Sequence, residues 1–190
     1  MDRRTIILEA AAEAFFEKGF HGVSVDELGQ RAGLSGPALY RTFSGKAEIL
    51  SELLNSALDV LTAAITPSGQ RPSENLDAAL RHHIHFSIAN RPLVRLYQQE
   101  ARSLADPWKN SFDARRREYI NKWILLIGNC FPQQVPIQTE QQVQSVLGTI
   151  FSLTMWPQRV LANPKLEEEL FTFVKSGLES FTPSTPNILT

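Results

Sequence analysis

The stretch that most constrains the fold runs from Ser24 to Lys46, SVDELGQRAGLSGPALYRTFSGK, because it holds the start and stop signals of two short helices. Ser24 and Glu27 have the S-x-x-E spacing of a capping box, which satisfies free backbone donors at a helix start. Gly33 supplies a residue that adopts the left-handed conformation at a helix end. Ser35 is placed to cap a second helix. The stretch therefore predicts two short helices joined by a tight glycine turn.

Two helices joined in this way form a helix-turn-helix, whose second helix fits the major groove of DNA. A helix from about residue 3 to residue 18 precedes it and is predicted to end at Gly19. The apolar stripe of this first helix comprises Ile7, Ala10, Ala11, Ala14 and Phe15. We expect the first helix to pack across the other two as the third member of a small bundle. Leu39 and Phe43 lie four residues apart and are expected to face its core.

This N-terminal block resembles the DNA-binding domain of TetR-type (tetracycline-repressor-like) transcriptional regulators. The resemblance is carried by an ordered set of positions: Phe15, Phe16, Lys18, Gly19, Phe20, Ser24, Val25, Leu28, Ala32, Gly33, Leu34, Ser35, Leu39, Tyr40, Phe43 and Lys46. Beyond about Leu54 the similarity is one of length and helical layout. The resemblance implies an all-α fold, in which an N-terminal three-helix bundle with a helix-turn-helix is followed by a C-terminal helical domain for ligand binding and dimerisation.

The predicted DNA contacts are small, aromatic and basic side chains near the two short helices. Small residues let the backbone approach base edges, and Arg41 is the candidate for a bidentate contact with guanine. Lys46 is expected in the first turn of a fourth helix capped by Ser44, where a phosphate offsets the unfavourable dipole. The predicted set is Arg3, Arg4, Ser24, Val25, Ser35, Gly36, Pro37, Ala38, Tyr40, Arg41, Thr42 and Lys46. Ordinary solvated side chains are the alternative for Arg3, Arg4 and Lys46.

Composition bounds the class of protein but does not identify a partner. The 190 residues carry a formal net charge of −1, so only the placement of charges argues for nucleic acid. The hydrophobic share of 43% suits a chain with a substantial core. The single cysteine, Cys130, has no internal disulfide partner, and the N-terminus lacks an apolar leader. We therefore expect a cytoplasmic protein with no membrane partner.

The remainder of the chain is predicted to be helical. A fourth helix at about 45–65 connects a DNA-binding domain at 1–46 to a helical domain at 47–182, and a loose tail follows at 183–190. Pro, Gly and Ser clusters predict loops at 66–74 and 132–138. The apolar patterns predict further helices at about 74–90, 93–105, 108–130, 139–156 and 164–181.

The helices at about 139–156 and 164–181 are predicted to form a homodimer. The first of them carries apolar residues that one subunit does not require, beside small residues that permit close helix approach. These residues are Val143, Val146, Leu147, Ile150 and Phe151, with Ser145, Gly148 and Ser152 among them. The resemblance implies a dimer through the same two helices. A dimer would place two reading helices on the palindromic half-sites of a double-stranded DNA operator.

Aromatic residues are frequent in the C-terminal part, where the resemblance implies a small-molecule cavity. Such a lining suits an apolar or aromatic effector with a few polar anchors, and core packing is the alternative for each residue. The predicted lining residues are Phe86, Tyr97, Trp123, Phe151 and Met155. The basic run Arg115–Arg117 is predicted to be a solvated face, with contact to an anionic group such as the phosphates of an acyl-CoA as the alternative.

Other chemistry is not expected. His82, His83 and His85 lack a cysteine or a well-spaced carboxylate partner, so we predict no metal site and no cofactor. Cys130 has no evident base, so we predict neither catalytic residues nor an enzyme. The prediction is a homodimeric repressor released from its operator by a small ligand, although the pattern does not separate repression from activation. The alternative is a helical interaction protein that keeps the helix-turn-helix shape without binding an operator.

Overall fold

The computed structural model describes residues 2–66 and 71–181, and it is helical without a β-strand among them. This confirms the predicted all-α fold class. The helices are α1 (Arg3–Lys18), α2 (Val25–Arg31), α3 (Gly36–Tyr40), α4 (Lys46–Ala63), α5 (Pro72–Ala89), α6 (Arg91–Glu100), α7 (Trp108–Cys130), α8 (Pro136–Ser152), α9 (Gln158–Leu161) and α10 (Leu166–Ser180). Short 3₁₀ turns follow α6 at Ala101–Ser103 and α8 at Leu153–Met155. None of the described helices combines the length and apolar composition needed to cross a bilayer.

The chain divides into two compact units. Unit 1 comprises Met1–Val60 and Asn90–Arg117, and unit 2 comprises Leu61–Ala89 and Glu118–Thr190. This division differs from the predicted consecutive domains at 1–46 and 47–182, because α6 and the first part of α7 belong with the N-terminal helices. The predicted tail at 183–190 lies outside the described residues.

In unit 1, α1 begins and ends where the sequence predicted. Ile7, Ala11, Ala14 and Phe15 of its stripe are buried, whereas Ala10 is only half-buried. α1 packs against α2, as expected for a small bundle, and also against α6. Burial of this stripe is the main source of its stability, since a helix of this length is marginal alone in water.

The turn after α2 is a Schellman motif. The N–H of Leu34 donates to the carbonyl of Gly29 at 2.8 Å, and the N–H of Gly33 donates to the carbonyl of Gln30 at 3.1 Å. Gly33 has the predicted left-handed conformation, with φ of 65°. Gly29 is a second requirement that the sequence did not reveal, because a Cβ there would lie 3.0 Å from the carbonyl oxygen of Leu34. The glycine turn of the helix-turn-helix is therefore confirmed.

In unit 2, α5, α8 and α10 pack on one another, and two predictions about this unit are corrected. α8 begins at Pro136, inside the predicted loop, because a proline fits the first turn of a helix. The short helix α9 was not predicted, and α10 begins at Leu166.

The predicted dimer face of α8 is wrong in its apolar residues. Its apolar side chains are between 0% and 7% exposed, because α5 and α10 pack on this helix. These side chains are Val143, Val146, Leu147, Ile150 and Phe151. The exposed side of α8 instead carries the small residues Ser145 and Gly148.

Candidate nucleic-acid interface

The outer side of α3 is exposed. We call the residues Ser35, Pro37, Tyr40 and Arg41 the α3 surface, and each of them is exposed. Tyr40 retains 55% of its accessible area, whereas Leu39 and Phe43 on the opposite side retain 0% and 1%. The prediction that Leu39 and Phe43 face the core is confirmed. Four-residue spacing on a helix therefore separates a packed side from an exposed side.

Arg41 has its side chain available to a partner. Within the described part of the chain, no hydrogen bond or ion pair engages its guanidinium. A guanidinium offers a planar fork of donors that matches the O6 and N7 acceptors of guanine or a phosphate. Arg3 at the start of α1 is also exposed.

Ser24 and Ser35 both occupy N-cap positions, but only one of them makes a capping bond. The Ser24 hydroxyl accepts a hydrogen bond from the Glu27 N–H at 3.1 Å. The Glu27 carboxylate does not complete the predicted box. It accepts from Lys18 at 2.7 Å and from Arg31 at 3.1 Å, and the bond with Lys18 is the first cause of the lowered pKa of the Glu27 carboxyl. The Ser35 hydroxyl makes no capping bond to α3 among the described residues, which corrects the prediction that it caps that helix.

Four predicted contacts on α2, on α3 and just after α3 are less accessible than expected. Ala38 is 7% exposed, so its prediction as a groove-facing residue is wrong. The reason is that Ala38 directly precedes Leu39 in a helix of only five residues and shares its buried side. Val25, Gly36 and Thr42 are half-buried, and the Thr42 hydroxyl donates to the Ala38 carbonyl at 3.4 Å.

Lys46 is held inside unit 1. Its ammonium donates to the carbonyls of Phe20 and Val23 at 3.0 and 2.9 Å, and it lies 4.6 Å from the centre of the Phe20 ring. These carbonyls compensate the cation at the start of α4. Lys46 thereby ties the chain between α1 and α2 to α4, and its contact with the DNA backbone stays a prediction.

Arg4 is also engaged within the protein, which corrects its predicted freedom to reach a phosphate. Its Nε donates to Glu52 Oε1 at 2.6 Å, and its guanidinium lies 4.4 Å from the centre of the Phe43 ring. The pKa of the Arg4 guanidinium is raised, first by its hydrogen bond to Glu52. Ser44 likewise does not cap α4 through its hydroxyl. Both its N–H and its hydroxyl donate to the Glu48 carboxylate, which lowers the pKa of the Glu48 carboxyl.

Glu100 at the end of α6 is a positioning residue that sequence reasoning missed. Its carboxylate accepts from the Phe20 N–H at 3.1 Å and from the Ser103 hydroxyl at 2.7 Å. Phe20 is therefore held through its carbonyl by Lys46 and through its N–H by Glu100. No sequence signal connects residues that lie 80 positions apart.

The predicted effector-lining residues do not line a described cavity together. Phe86, Trp123 and Phe151 are buried in unit 2, whereas Met155 is 67% exposed, so its prediction as a lining residue is corrected. Tyr97 belongs to unit 1, where its ring centre lies 5.9 Å from that of Phe112 and where burial raises the pKa of its hydroxyl. The three cavities described in unit 2, of about 440, 320 and 190 Å³, are lined by other residues.

The basic run Arg115–Arg117 is only partly a solvated face. Arg115 donates to Asn55 Oδ1 at 2.7 Å and forms an ion pair with Asp59. This engagement corrects the prediction for Arg115, because the run links α7 to α4 inside unit 1. Across residues 2–66 and 71–181, no three His, Cys, Asp or Glu side chains converge as a metal-binding group.

Comparison with known proteins agrees with this geometry. The family model for bacterial regulatory proteins of the tetR family matches residues 7–53. The transcriptional repressor KstR2 of Mycobacterium tuberculosis is 31% identical over 126 residues, which cover 64% of this chain and 63% of KstR2. The chain spans between 34% and 63% of the length of the first curated relatives that it matches.

Solved structures extend the similarity to nearly the whole chain. PfmR from Thermus thermophilus, a TetR family transcriptional regulator, is 27% identical with a TM-score of 0.77, and the match covers 93% of this chain and 98% of PfmR. AibR, solved in complex with isovaleryl coenzyme A and operator DNA, shares the fold. Its TM-score is 0.78, its identity is 22%, and the coverage is 92% of this chain and 97% of AibR.

An exposed α3 surface on a helix-turn-helix, followed by helices without a strand among the described residues, defines the class of all-helical proteins with a helix-turn-helix. Over residues 7–53 the chain matches the tetR family of bacterial regulatory proteins, and its described helices share the fold of solved TetR-family structures.

Proposed function

We propose that this protein is a homodimeric transcriptional repressor of the cytoplasm, which binds operator DNA through the α3 surface and is released by a small molecule. The observation that carries the proposal is the exposure of Tyr40 and Arg41 opposite the buried Leu39 and Phe43. An exposed aromatic ring beside an unpaired arginine suits base edges and phosphates. KstR2, named as a repressor, supports the direction of regulation.

The residues of the interface have different proposed roles. Arg41 contacts guanine, and Tyr40 contacts a base or the DNA backbone. Ser35 and Arg3 are exposed and suit phosphate contacts, which position the protein without reading sequence. Lys46 acts indirectly, because its bonds hold the residues that connect α1 to α2.

A gel-shift experiment with the DNA upstream of the protein's own gene tests operator binding. Arg41→Ala is expected to weaken binding by about 10- to 100-fold and to relax the preference at particular base pairs. Arg159→Ala is the matched control, because Arg159 is an exposed arginine on α9 of unit 2. Equal binding by the parent protein and by Arg41→Ala would overturn the assignment.

The same experiment separates the alternative function. A helical interaction protein with a helix-turn-helix shape would show no sequence preference over the salt range. A repressor would retain preference for one site as the salt concentration rises, because base contacts are less sensitive to salt than phosphate contacts.

Dimerisation is proposed through the exposed side of α8 and α10. Phe173 on α10 is 67% exposed and borders a cavity of about 190 Å³ that is also lined by Ser145, Thr149 and Gly177. An exposed phenylalanine beside small residues suits a closely packed, self-complementary helix contact.

Sedimentation measures whether the protein forms a dimer through this contact. Phe173→Asp is expected to produce a monomer that binds operator DNA at least about tenfold more weakly, because it loses the second half-site. Leu125→Asp is the matched control, since Leu125 is 66% exposed on α7 but does not line this cavity. A dimeric Phe173→Asp protein would contradict the proposed interface.

The effector is proposed to bind unit 2. The structure of AibR with isovaleryl coenzyme A and the similarity to KstR2, which is described as a ketosteroid transcriptional regulator, support a largely apolar effector, with an acyl-CoA as one candidate. Helix α4 continues without a break through residues 60 and 61, where unit 1 ends and unit 2 begins, so its backbone connects the two units. Effector and operator would then favour different conformations of one protein. Titration of isovaleryl coenzyme A against the preformed DNA complex tests this coupling, and equal affinity for free and DNA-bound protein would exclude it.

A further inference from the structure

We call three of the fully buried side chains with polar atoms in unit 2 the polar core cluster: His83 and Ser87 on α5, and Trp123 on α7. Each has 0% of its surface exposed. His83 and Ser87 lie four residues apart and therefore share one side of α5. The ring centres of His83 and Trp123 are 4.8 Å apart, with their planes at 75°. The cluster therefore lies between α5 and α7.

The cluster has polar atoms that no described residue satisfies. His83 Nδ1 lies 2.7 Å from the carbonyl oxygen of Ala79, and since a carbonyl only accepts, Nδ1 carries the proton. His83 Nε2, Ser87 Oγ and Trp123 Nε1 have no hydrogen-bond partner among the described residues. Buried polar atoms are almost always paired in folded proteins because an unpaired one is costly. Three such atoms on facing helices therefore indicate a place for a polar group from outside the chain.

The three atoms differ in what they accept and donate. Burial lowers the pKa of His83 to about 4, so its ring is neutral near pH 7 and Nε2 is an acceptor. Trp123 Nε1 only donates, and the Ser87 hydroxyl can do either. The cluster offers one acceptor, one donor and one group of either kind, and it contains no cation.

We propose that the polar core cluster binds a hydroxyl group on an uncharged, apolar part of a ligand. That hydroxyl donates to His83 Nε2 and accepts from Trp123 Nε1, with Ser87 as a further partner. A carbonyl group only accepts, so it would leave His83 unpaired. A carboxylate would bury a charge without a compensating cation. As an effector subsite, the cluster rests on the proposed function and restricts its ligand chemistry.

The test uses the whole protein labelled with ¹⁵N. Its three tryptophans give three indole N–H signals, which Trp→Phe variants assign. Trp156 Nε1 donates to the Ser152 hydroxyl at 3.1 Å and is therefore an internal control whose signal should not move. The probes are cyclohexanol, cyclohexanone, methylcyclohexane and cyclohexanecarboxylate at millimolar concentration, because they share a ring and differ in one group.

The expected result is a saturable shift of the Trp123 signal. Cyclohexanol should bind about tenfold more tightly than cyclohexanone, since one more hydrogen bond is made, and methylcyclohexane and cyclohexanecarboxylate should bind more weakly still. His83→Phe should abolish the preference for the alcohol over the ketone. Ser87→Ala is the second variant if His83→Phe fails to fold, and it should weaken cyclohexanol binding while leaving methylcyclohexane unchanged.

Three results would overturn the proposal. The first is a Trp123 signal that no probe moves, the second is equal binding of cyclohexanol and methylcyclohexane, and the third is a buried water that cyclohexanol does not displace. Operator binding is measured separately by gel shift. If cyclohexanol does not shift the Trp123 signal but the protein binds its operator, only the subsite is rejected. If cyclohexanol shifts the signal but the protein does not bind an operator, the proposed function is rejected and the subsite stands.

Discussion

The α3 surface and the polar core cluster both contain polar side chains whose polar atoms have no side-chain partner among the described residues, yet only the buried cluster is unusual. The polar groups of Tyr40 and Arg41 are exposed, so water satisfies them at little cost. His83 and Trp123 are buried, so their unpaired atoms cost free energy in the folded state. An unpaired group therefore indicates a binding site by itself only where it is buried. On the surface it needs the support of a motif.

The largest expected effect concerns His83, which belongs to the buried polar core cluster. Between the unfolded pKa of 6.5 and the folded pKa of about 4, the unfolded chain binds a proton that folded His83 does not. The free energy of unfolding should therefore fall by about 3 kcal/mol through His83 as the pH falls across this window. Urea unfolding followed by circular dichroism at about pH 7, 5.5 and 4.5 measures it.

His83→Phe should lose this pH dependence, whereas His21→Gln should keep it, because His21 is exposed. A parent protein and a His83→Phe variant with the same pH dependence would show that His83 is not buried in a neutral form.

A smaller effect is expected at Lys46. Lys46→Ala removes two hydrogen bonds from an ammonium to the carbonyls of Phe20 and Val23, and should lower the free energy of unfolding by about 2 kcal/mol. The salt dependence of operator affinity should not change, because the ammonium of Lys46 is already engaged by these carbonyls. Lys18→Ala is the control, since the pair of Lys18 with Glu27 is exposed and should be worth less than about 1 kcal/mol. If Lys46→Ala instead lowered the slope of log affinity against log salt concentration by about one, Lys46 would be a phosphate contact.

The smallest effect compares two serines. Ser87→Ala removes a buried, unpaired hydroxyl and should raise the free energy of unfolding by up to about 1 kcal/mol. Ser35→Ala removes an exposed hydroxyl and should change stability by less than about 0.5 kcal/mol, while weakening operator binding. Thermal and urea unfolding of both variants measure the contrast. A destabilised Ser87→Ala protein would mean that the hydroxyl already has a partner.

Prediction succeeded where the signal was local. The bounds of α1 and the glycine turn at Gly33 follow from residues within a few positions of one another. Prediction failed where a partner lies far along the chain. Lys46 was interpreted from its position at a helix start, but its acceptors lie 23 and 26 residues earlier. Phe20 and Glu100 are 80 residues apart, and no spacing rule connects them.

The partner of each helix side was harder to predict than the helix itself. Val146 and Ile150 have the periodicity of a dimer contact, but the same periodicity suits packing against α5 and α10. Ala38 has a side chain small enough for a groove contact, yet in the short α3 it shares the buried side of Leu39. Periodicity shows that a helix has an apolar side, but not what covers that side.

By itself, the sequence determined the helical class, the helix-turn-helix and the family resemblance, because caps, glycines and apolar spacing act over one or two turns. Only the tertiary structure decided which polar groups are engaged inside the protein. Lys46, Arg4 and Arg115 form internal contacts, and His83 is enclosed with Trp123. The physical reason is that burial and pairing depend on neighbours that are distant in the chain, and those neighbours determine whether a polar side chain stabilises the fold or remains available for a ligand.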